Sequence, residues 1–170
     1  MGDVRVLCKA LGYYYSKKGF AVCREVGLPK LYTYRENGSI FHLSKRRADF
    51  VAVSLSLNRT VIVETKSCWA DFTSDSKWTD YRPHCNQFYF AADLETATKI
   101  KRRLELCGDT ETGVIAMTNR GEKTVLKFIR RAKVHDRVTP WEILLWQMAV
   151  RSSGFGFQGK FTPGNIFEAE

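Results

Sequence analysis

The sequence predicts one α/β domain, and a few observations lead there. Apolar, β-branched runs of strand length recur along the chain, stretches with helical spacing separate them, and turn residues fall where the two alternate. Residues 4–18 place Val6, Leu7, Ala10, Leu11 and Tyr14 on one face of an amphipathic helix, with Gly19 as its stop. Residues 20–26 alternate and read as a strand. Segments 32–34 and 39–43 flank Glu36-Asn37-Gly38, and Asn-Gly is a strong hairpin signal. A second antiparallel hairpin, predicted for the centre of the sheet, joins runs 48–57 and 60–66 through Asn58-Arg59.

Residues 68–81 are polar and aromatic together and read as a short helix with a loop that ends at Pro83. A compact aromatic strand follows at 87–91. Residues 94–106 are strong helix formers stopped by Cys107-Gly108, and 113–117 and 124–129 read as strands around Asn119-Arg120-Gly121. Thr139-Pro140-Trp141-Glu142 has the layout of a capping box opening a last helix, whose body holds Ile143, Leu144, Trp146 and Met148. Trp141 and Trp146 are expected to be packing residues. From Arg151 the chain is glycine-rich and without periodicity, so a single domain over 1–150 is expected to carry a flexible or draped tail at 151–170.

Composition narrows the class. At 170 residues with 44% hydrophobic content the chain can bury one core, which argues against disorder and against a disulfide-stapled miniature. Lys and Arg number 27 against 18 Asp and Glu, a formal charge of +9, which favours an anionic partner such as nucleic acid over plain solubility. The five cysteines are scattered, with no C-x-x-C pair, so neither a disulfide framework nor a zinc finger is expected. An intracellular, cytoplasmic location follows from that usage, and no apolar stretch is long enough to suggest a membrane span or membrane partner. Met1-Gly2-Asp3-Val4-Arg5 lacks the layout of a secretory signal, and Val6 stands where myristoylation calls for Ser or Thr.

Charges inside the central hairpin carry the chemistry. Asp49 interrupts Arg46-Arg47-Ala48-Asp49-Phe50-Val51-Ala52-Val53, and Glu64 and Lys66 interrupt Val61-Ile62-Val63-Glu64-Thr65-Lys66. An unpaired buried charge costs several kcal/mol, so such groups persist where they pair or bind a cation. Strand alternation puts Ile62, Glu64 and Lys66 on one face, Glu64 and Lys66 about 7 Å apart, and Val61, Val63 and Thr65 on the other. Two carboxylates and a lysine are the set that divalent-metal phosphodiester hydrolysis needs: oxygen ligands for Mg²⁺, and a cation to position a water and offset developing charge. A structural ion pair is the competing explanation.

At these residues the sequence resembles the PD-(D/E)xK nuclease superfamily, with Asp49 as first acid, after Ala48 where proline is frequent, and Glu64-Thr65-Lys66 as the E-x-K element. A longer ordered series is similar to the MmcB-like family of DNA-repair endonucleases over roughly residues 20–130. It comprises Arg46-Arg47-Ala48-Asp49, Val63-Glu64-Thr65-Lys66-Ser67, Ala70-Asp71-Phe72, Ser74-Asp75, Lys77-Trp78, Asp80-Tyr81 and Cys85-Asn86-Gln87-Phe88-Tyr89-Phe90-Ala91.

The resemblance implies a restriction-endonuclease-like core, a mixed central sheet flanked by helices, with Mg²⁺ or Mn²⁺ as cofactor. It implies Asp49, Glu64 and Lys66 as catalytic residues, and Asp49, Glu64 and the Thr65 backbone carbonyl as metal ligands. Glu25 is either an accessory acid or a solvated strand residue. Arg46, Arg47, Lys77, Trp78 and Tyr81 are candidates for nucleic-acid contact, Trp78 also for a core anchor. Lys101 and Arg102 in the Lys99–Arg103 cluster either touch DNA or form a solvated helix face. Asp71, Asp75 and Asp80 are either metal ligands or, as the more common use of acids after such a strand, capping groups and partners of Lys77 and Arg82, and Cys68, His84 and Cys85 lack a fourth ligand for zinc. The expected function is a metal-dependent DNA endonuclease in repair, recombination or processing. A DNA-binding scaffold with weak or lost catalysis and an RNA nuclease are the alternatives, with DNA ahead of RNA and homodimerisation open.

Overall fold

The computed structural model of the protein describes residues 4–31, 41–120 and 123–152. Within them the chain runs α1 (Val4–Ser16), β1 (Ala21–Leu31), β2 (Phe41–Ser54), β3 (Arg59–Thr65), α2 (Trp69–Ser74), a 3₁₀ segment (Trp78–His84), β4 (Gln87–Asp93), α3 (Leu94–Leu106), β5 (Gly113–Arg120), β6 (Lys123–Arg130) and α4 (Trp141–Ser152). The strands form a mixed sheet in the order β1-β2-β3-β4-β5-β6. Neighbours joined by hairpins are antiparallel; β3, β4 and β5 run parallel because α2 with the 3₁₀ segment, and then α3, carry the chain back across the sheet. This is the helix-flanked mixed sheet expected from the sequence.

Strand alternation divides the core in two. Ile62, Phe88, Phe90 and Ala92 face Phe72 of α2, Ala97, Ile100 and Leu104 of α3, and Leu144 and Met148 of α4. Val61, Val63, Tyr89 and Ala91 face Leu7, Leu11 and Tyr15 of α1. The parallel strands are buried on both faces, as their unbroken apolar runs require.

Several local expectations change. In α1 the buried stripe is Leu7, Cys8, Leu11 and Tyr15, whereas Val6 is exposed. Residues 41–54 form one continuous strand where the sequence reads two segments, because β1 pairs along it from Leu31↔Phe41 to Ala21↔Val53. The Glu36-Asn37-Gly38 turn and the 153–170 part of the tail lie outside the described residues. Asn119 and Arg120, read as turn residues, pair in the ladder with Thr124 and Lys123, while Gly121 is outside the described residues. The loop expected before Pro83 is a 3₁₀ segment that contains it.

At the start of α4 the Thr139 hydroxyl lies 2.6 Å from His84 Nδ1, which ties the helix entry to the 3₁₀ segment. Trp146, expected to pack, is 42% exposed, and Gln147 is buried instead.

His84 is itself buried, and that burial lowers its pKa to about 4. Because the unfolded chain binds the proton more readily, this contribution to stability is complete above about pH 6.5 and is lost as pH falls through about 4. Its full size is on the order of 3 kcal/mol. Thermal melts from pH 7 to pH 4 are therefore expected to show a steeper fall in Tm for the wild type than for His84→Gln; parallel curves would contradict this.

Candidate active site

The charged residues of the central hairpin meet where β2 passes the C-terminal end of β3. Phe50 pairs with Val63, so the next step along the ladder brings Asp49 to Glu64, and the Asp49 amide donates to Glu64 Oε1 at 3.1 Å. Asp49 Oδ2 accepts from the Thr65 amide at 2.8 Å and from the Thr65 hydroxyl at 2.7 Å. Alternation alone assigns Thr65 to the opposite face from Glu64, yet at the strand end its side chain is tied to Asp49. Thr65 thus holds the first acid in place through groups that sequence reasoning did not assign to it.

The alternation also slips on β1 and β2 beside the site. Cys23 and Val26 both pack toward the α3 side although they are three positions apart, and the same is true of Ala48 and Val51. The irregularity on β1 contains Glu25, whose φ of 59° lies in the left-handed region that a non-glycine residue seldom occupies. The ladder pairs Arg24 with Phe50 and Val26 with Ala48, so Glu25 lies opposite Asp49. Its carboxylate is 2.8 Å from Arg47 Nη1.

Glu64 is 5% exposed, and burial first, then the neighbouring Asp49, raises its pKa to about 8. Lys66 lies just past β3, its amide bonded to the Ala91 carbonyl, and is 6% exposed. Its Nζ is 2.6 Å from Asp75 Oδ2, 4.0 Å from Asp71 Oδ1, and 5.7 Å from the centre of the Phe90 ring. The sequence suggested Lys77 or Arg82 as partners for these acids. Instead Asp75 takes Lys66 and Lys77's backbone amide, Asp71 accepts from the Ser67 amide and hydroxyl, and Asp80 pairs with Arg46. The pairing of Asp75 with Lys66 is thus what sequence reasoning missed, although Asp75 stands nine positions beyond Lys66, at the end of the helix that follows it.

The candidates for nucleic-acid contact divide into two groups. Arg46 donates to the Lys77 carbonyl at 3.1 Å, and the Tyr81 hydroxyl to the Arg47 carbonyl at 3.5 Å, so Arg46, Arg47, Lys77 and Tyr81 gather beside the acids. Tyr81's phenol is raised by burial and then by Glu64, Asp75 and Asp49, which places it in the field of the same carboxylates. Trp78 belongs to this group by position, but its ring stacks on Phe88 at 6.0 Å and carries the Arg82 guanidinium over its face. Lys101 and Arg102 are on α3, which packs on β4 and β5, and Lys101 pairs with Glu105 of its own helix at 2.9 Å.

His84 and Cys85 also have separate positions. His84 turns to Thr139, while the Cys85 thiol is fully buried, its pKa pushed up to about 12 by that burial. Among the described residues no group of three or more His, Cys, Asp or Glu side chains converges as a metal cluster. Oxygen donors at the site are the Asp49, Glu64 and Asp75 carboxyls, the Thr65 hydroxyl and nearby backbone.

Comparison with known proteins bears on most of the chain. The profile of a family described as DNA repair protein MmcB-like matches residues 16–135. No curated protein matches significantly. A solved structure, the SPO1766 protein of unknown function from Silicibacter pomeroyi, has a similar fold, with a TM-score of 0.60 at 18% identity over 90% of this chain and 94% of that one. Among the described residues no helix is long and apolar enough to cross a membrane.

Proposed function

Because the chain belongs to the MmcB-like family of DNA repair proteins, we propose that it is a divalent-metal-dependent endonuclease that hydrolyses DNA phosphodiester bonds. The observation that carries this reading is the convergence of Asp49, Glu64 and Lys66 at one end of β3. A purely structural ion pair would match Lys66 to Asp49 or Glu64. Lys66 is matched instead to Asp75, and the two hairpin carboxyls are left crowded together in a buried place.

That crowding fits a cation. The donor set is oxygen only, as Mg²⁺ and Mn²⁺ prefer, and a positive charge between Asp49 and Glu64 would offset the repulsion and burial that raise Glu64. Asp49 and Glu64 would hold the ion with the Thr65 backbone carbonyl, and Glu25, opposite Asp49, is the nearest accessory acid by strand register. The ion would supply an activated water and relief of charge on the phosphate oxygens.

The remaining work falls to the chain's own groups. The Thr65 amide and hydroxyl fix the Asp49 carboxylate, leaving its second oxygen for the ion. Asp75 holds the Lys66 ammonium beside the carboxyls, where it can orient the attacking water and stabilise charge on the phosphorane oxygens. Arg46, Arg47 and Lys77 offer phosphate contacts along the rim, and Tyr81 a ring for an unstacked base.

The test is cleavage of duplex, single-stranded and branched DNA with Mn²⁺ or Mg²⁺. Nicking by the wild type that EDTA abolishes and that Asp49→Ala lacks is the expected result. Cleavage by Asp49→Ala at the wild-type rate, or none by the wild type on any substrate, would overturn the assignment.

A further inference from the structure

The side of the sheet that carries α1 combines positive charge with aromatic rings. Residues 4–18 contain Arg5, Lys9, Lys17 and Lys18 and no acid. Arg5, Lys9, Tyr13 and Lys17 recur at every fourth position and are all exposed, so they follow the outer side of the helix and its last turn. Two strands extend the charge. Arg59 alternates with Val61 and Val63, which face α1, and Arg131 lies over the ring of Phe128, which packs on the same core. Burial raises the Tyr89 phenol and Arg131 and Arg59 oppose that rise, so both guanidinium groups stand near one ring.

These cations rest on rings instead of carboxylates. Lys17 Nζ is 4.7 Å from the centre of the Tyr13 ring, Lys18 Nζ 4.5 Å from that of Tyr14, and the Arg131 guanidinium 5.7 Å from that of Phe128. Tyr14 and Phe128 are 5.0 Å apart, which joins helix and sheet in one aromatic strip. Among the described residues no carboxylate stands at ion-pair distance from Lys9, Lys17, Lys18, Arg59 or Arg131. The acids pair elsewhere, Glu95 and Glu105 with Lys99 and Lys101 of α3, and Asp109 with Arg82. The α1 side is thus the one whose lysines await an anion from outside.

The rings narrow the class of anion. Tyr13 is 65% exposed, with Lys17 over it. A duplex presents phosphates but keeps its bases stacked inside, whereas an unpaired base can lie on an exposed ring and bring its phosphate to the neighbouring ammonium. An anionic membrane would also attract the cations. A helix lying in a membrane needs a free apolar face, however, and Leu7, Leu11 and Tyr15 are buried against the sheet.

We propose that the outer face of α1, continued by Arg131 and Arg59, binds a single-stranded segment of DNA, with phosphates on Lys17, Lys18 and Arg131 and a base on Tyr13. Arg59 opens β3, and Glu64 stands about 17 Å farther along the same strand. The segment is therefore held apart from the hairpin acids. The proposal takes DNA as partner from the family and requires no cleavage, so it stands independently of the nuclease reading.

Fluorescence anisotropy of the full chain in EDTA tests it, with one labelled oligonucleotide offered single-stranded and as a blunt duplex. Binding of the single strand at least about fivefold tighter than the duplex is expected. Lys17→Glu combined with Lys18→Glu should weaken single-strand binding by about tenfold or more. Tyr13→Ala should weaken it by about fivefold and leave duplex binding unchanged. All three side chains are exposed, so the fold should survive these changes.

A matched pair of variants separates the surface from net charge. Arg131→Glu should weaken binding several-fold more than Lys127→Glu, because exposed Lys127 stands between Leu126 and Phe128 and so points to the other side of β6. Since EDTA removes divalent metal, none of these results depends on catalysis. The proposal is overturned by equal affinity for single strand and duplex, by wild-type affinity in Tyr13→Ala, or by equal losses in Arg131→Glu and Lys127→Glu. Binding to phosphatidylserine vesicles that the double lysine variant abolishes, with no single-strand binding, would assign the face to a membrane and overturn it as well.

Discussion

Lys66→Ala is expected to lower Mn²⁺-dependent DNA cleavage by about a thousandfold, with no comparable change in DNA affinity. The reason is positional. Lys66 Nζ acts on the buried Glu64 carboxyl and is held by Asp75 at 2.6 Å over the Phe90 ring, in a position where the side chain is 6% exposed. Truncation leaves Asp75 without its partner, so a loss of stability could mimic a loss of chemistry. Lys66→Met answers that objection, because it fills the same volume above Phe90 without the charge.

Asp75→Asn separates the roles further. It keeps Lys66 and an acceptor beside it but weakens the hold on the ammonium, and a loss of about tenfold in kcat with little change in KM is the expected result. If Lys66→Met, folded and binding DNA, cleaved within threefold of the wild type, the assignment of Lys66 would fail. If Asp75→Asn changed only Tm and not kcat, Asp75 would be a structural partner and no more.

Gly113→Ala is expected to destabilise the fold by about 3 kcal/mol or more, which for a chain of this size is a fall in Tm of roughly 10 °C. A Cβ at Gly113 would stand 2.2 Å from the Tyr89 ring and 2.7 Å from the Ala132 amide nitrogen. Neither neighbour can yield at small cost. Tyr89 is buried, paired with Gly113 in the parallel ladder, and packed edge-on against Phe128 at 5.5 Å. Ala132 belongs to the backbone that Gln87 fastens through its carbonyl. Combining Gly113→Ala with Tyr89→Leu removes the ring from the clash and should recover part of the loss, although not the contact with the backbone amide. Thermal or urea unfolding of both variants measures the effect; a Tm for Gly113→Ala within 2 °C of wild type would contradict it.

The candidate site was legible in part because its chemistry is local. Asp49, Glu64 and Lys66 stand out as charges in apolar runs, and a strand that is buried on both faces tolerates no charge without a partner. What escaped the sequence is which partner each one has. Asp75, Asp71 and Asp80 look alike along the chain, and only the tertiary path of the segment after β3 gives Asp75 to Lys66 and Asp80 to Arg46. Thr65 was legible as a strand residue, but its hold on Asp49 depends on the ladder ending there. Trp146 was read as core from its size alone, and it is the face of α4 against β1 that leaves it outside.

By itself the sequence determined the order and kind of nearly every element, the apolar runs of the central strands, and the acids and lysine placed among them. These follow from side-chain periodicity, which is a property of neighbours within a few residues. Only the tertiary structure decided where alternation slips at Glu25 and Asp49, which acid holds Lys66, and how His84 comes to face Thr139. Each of those depends on contacts between segments far apart in the chain, and the free energy of such a contact is set by the geometry and burial of both partners together, which no local pattern encodes.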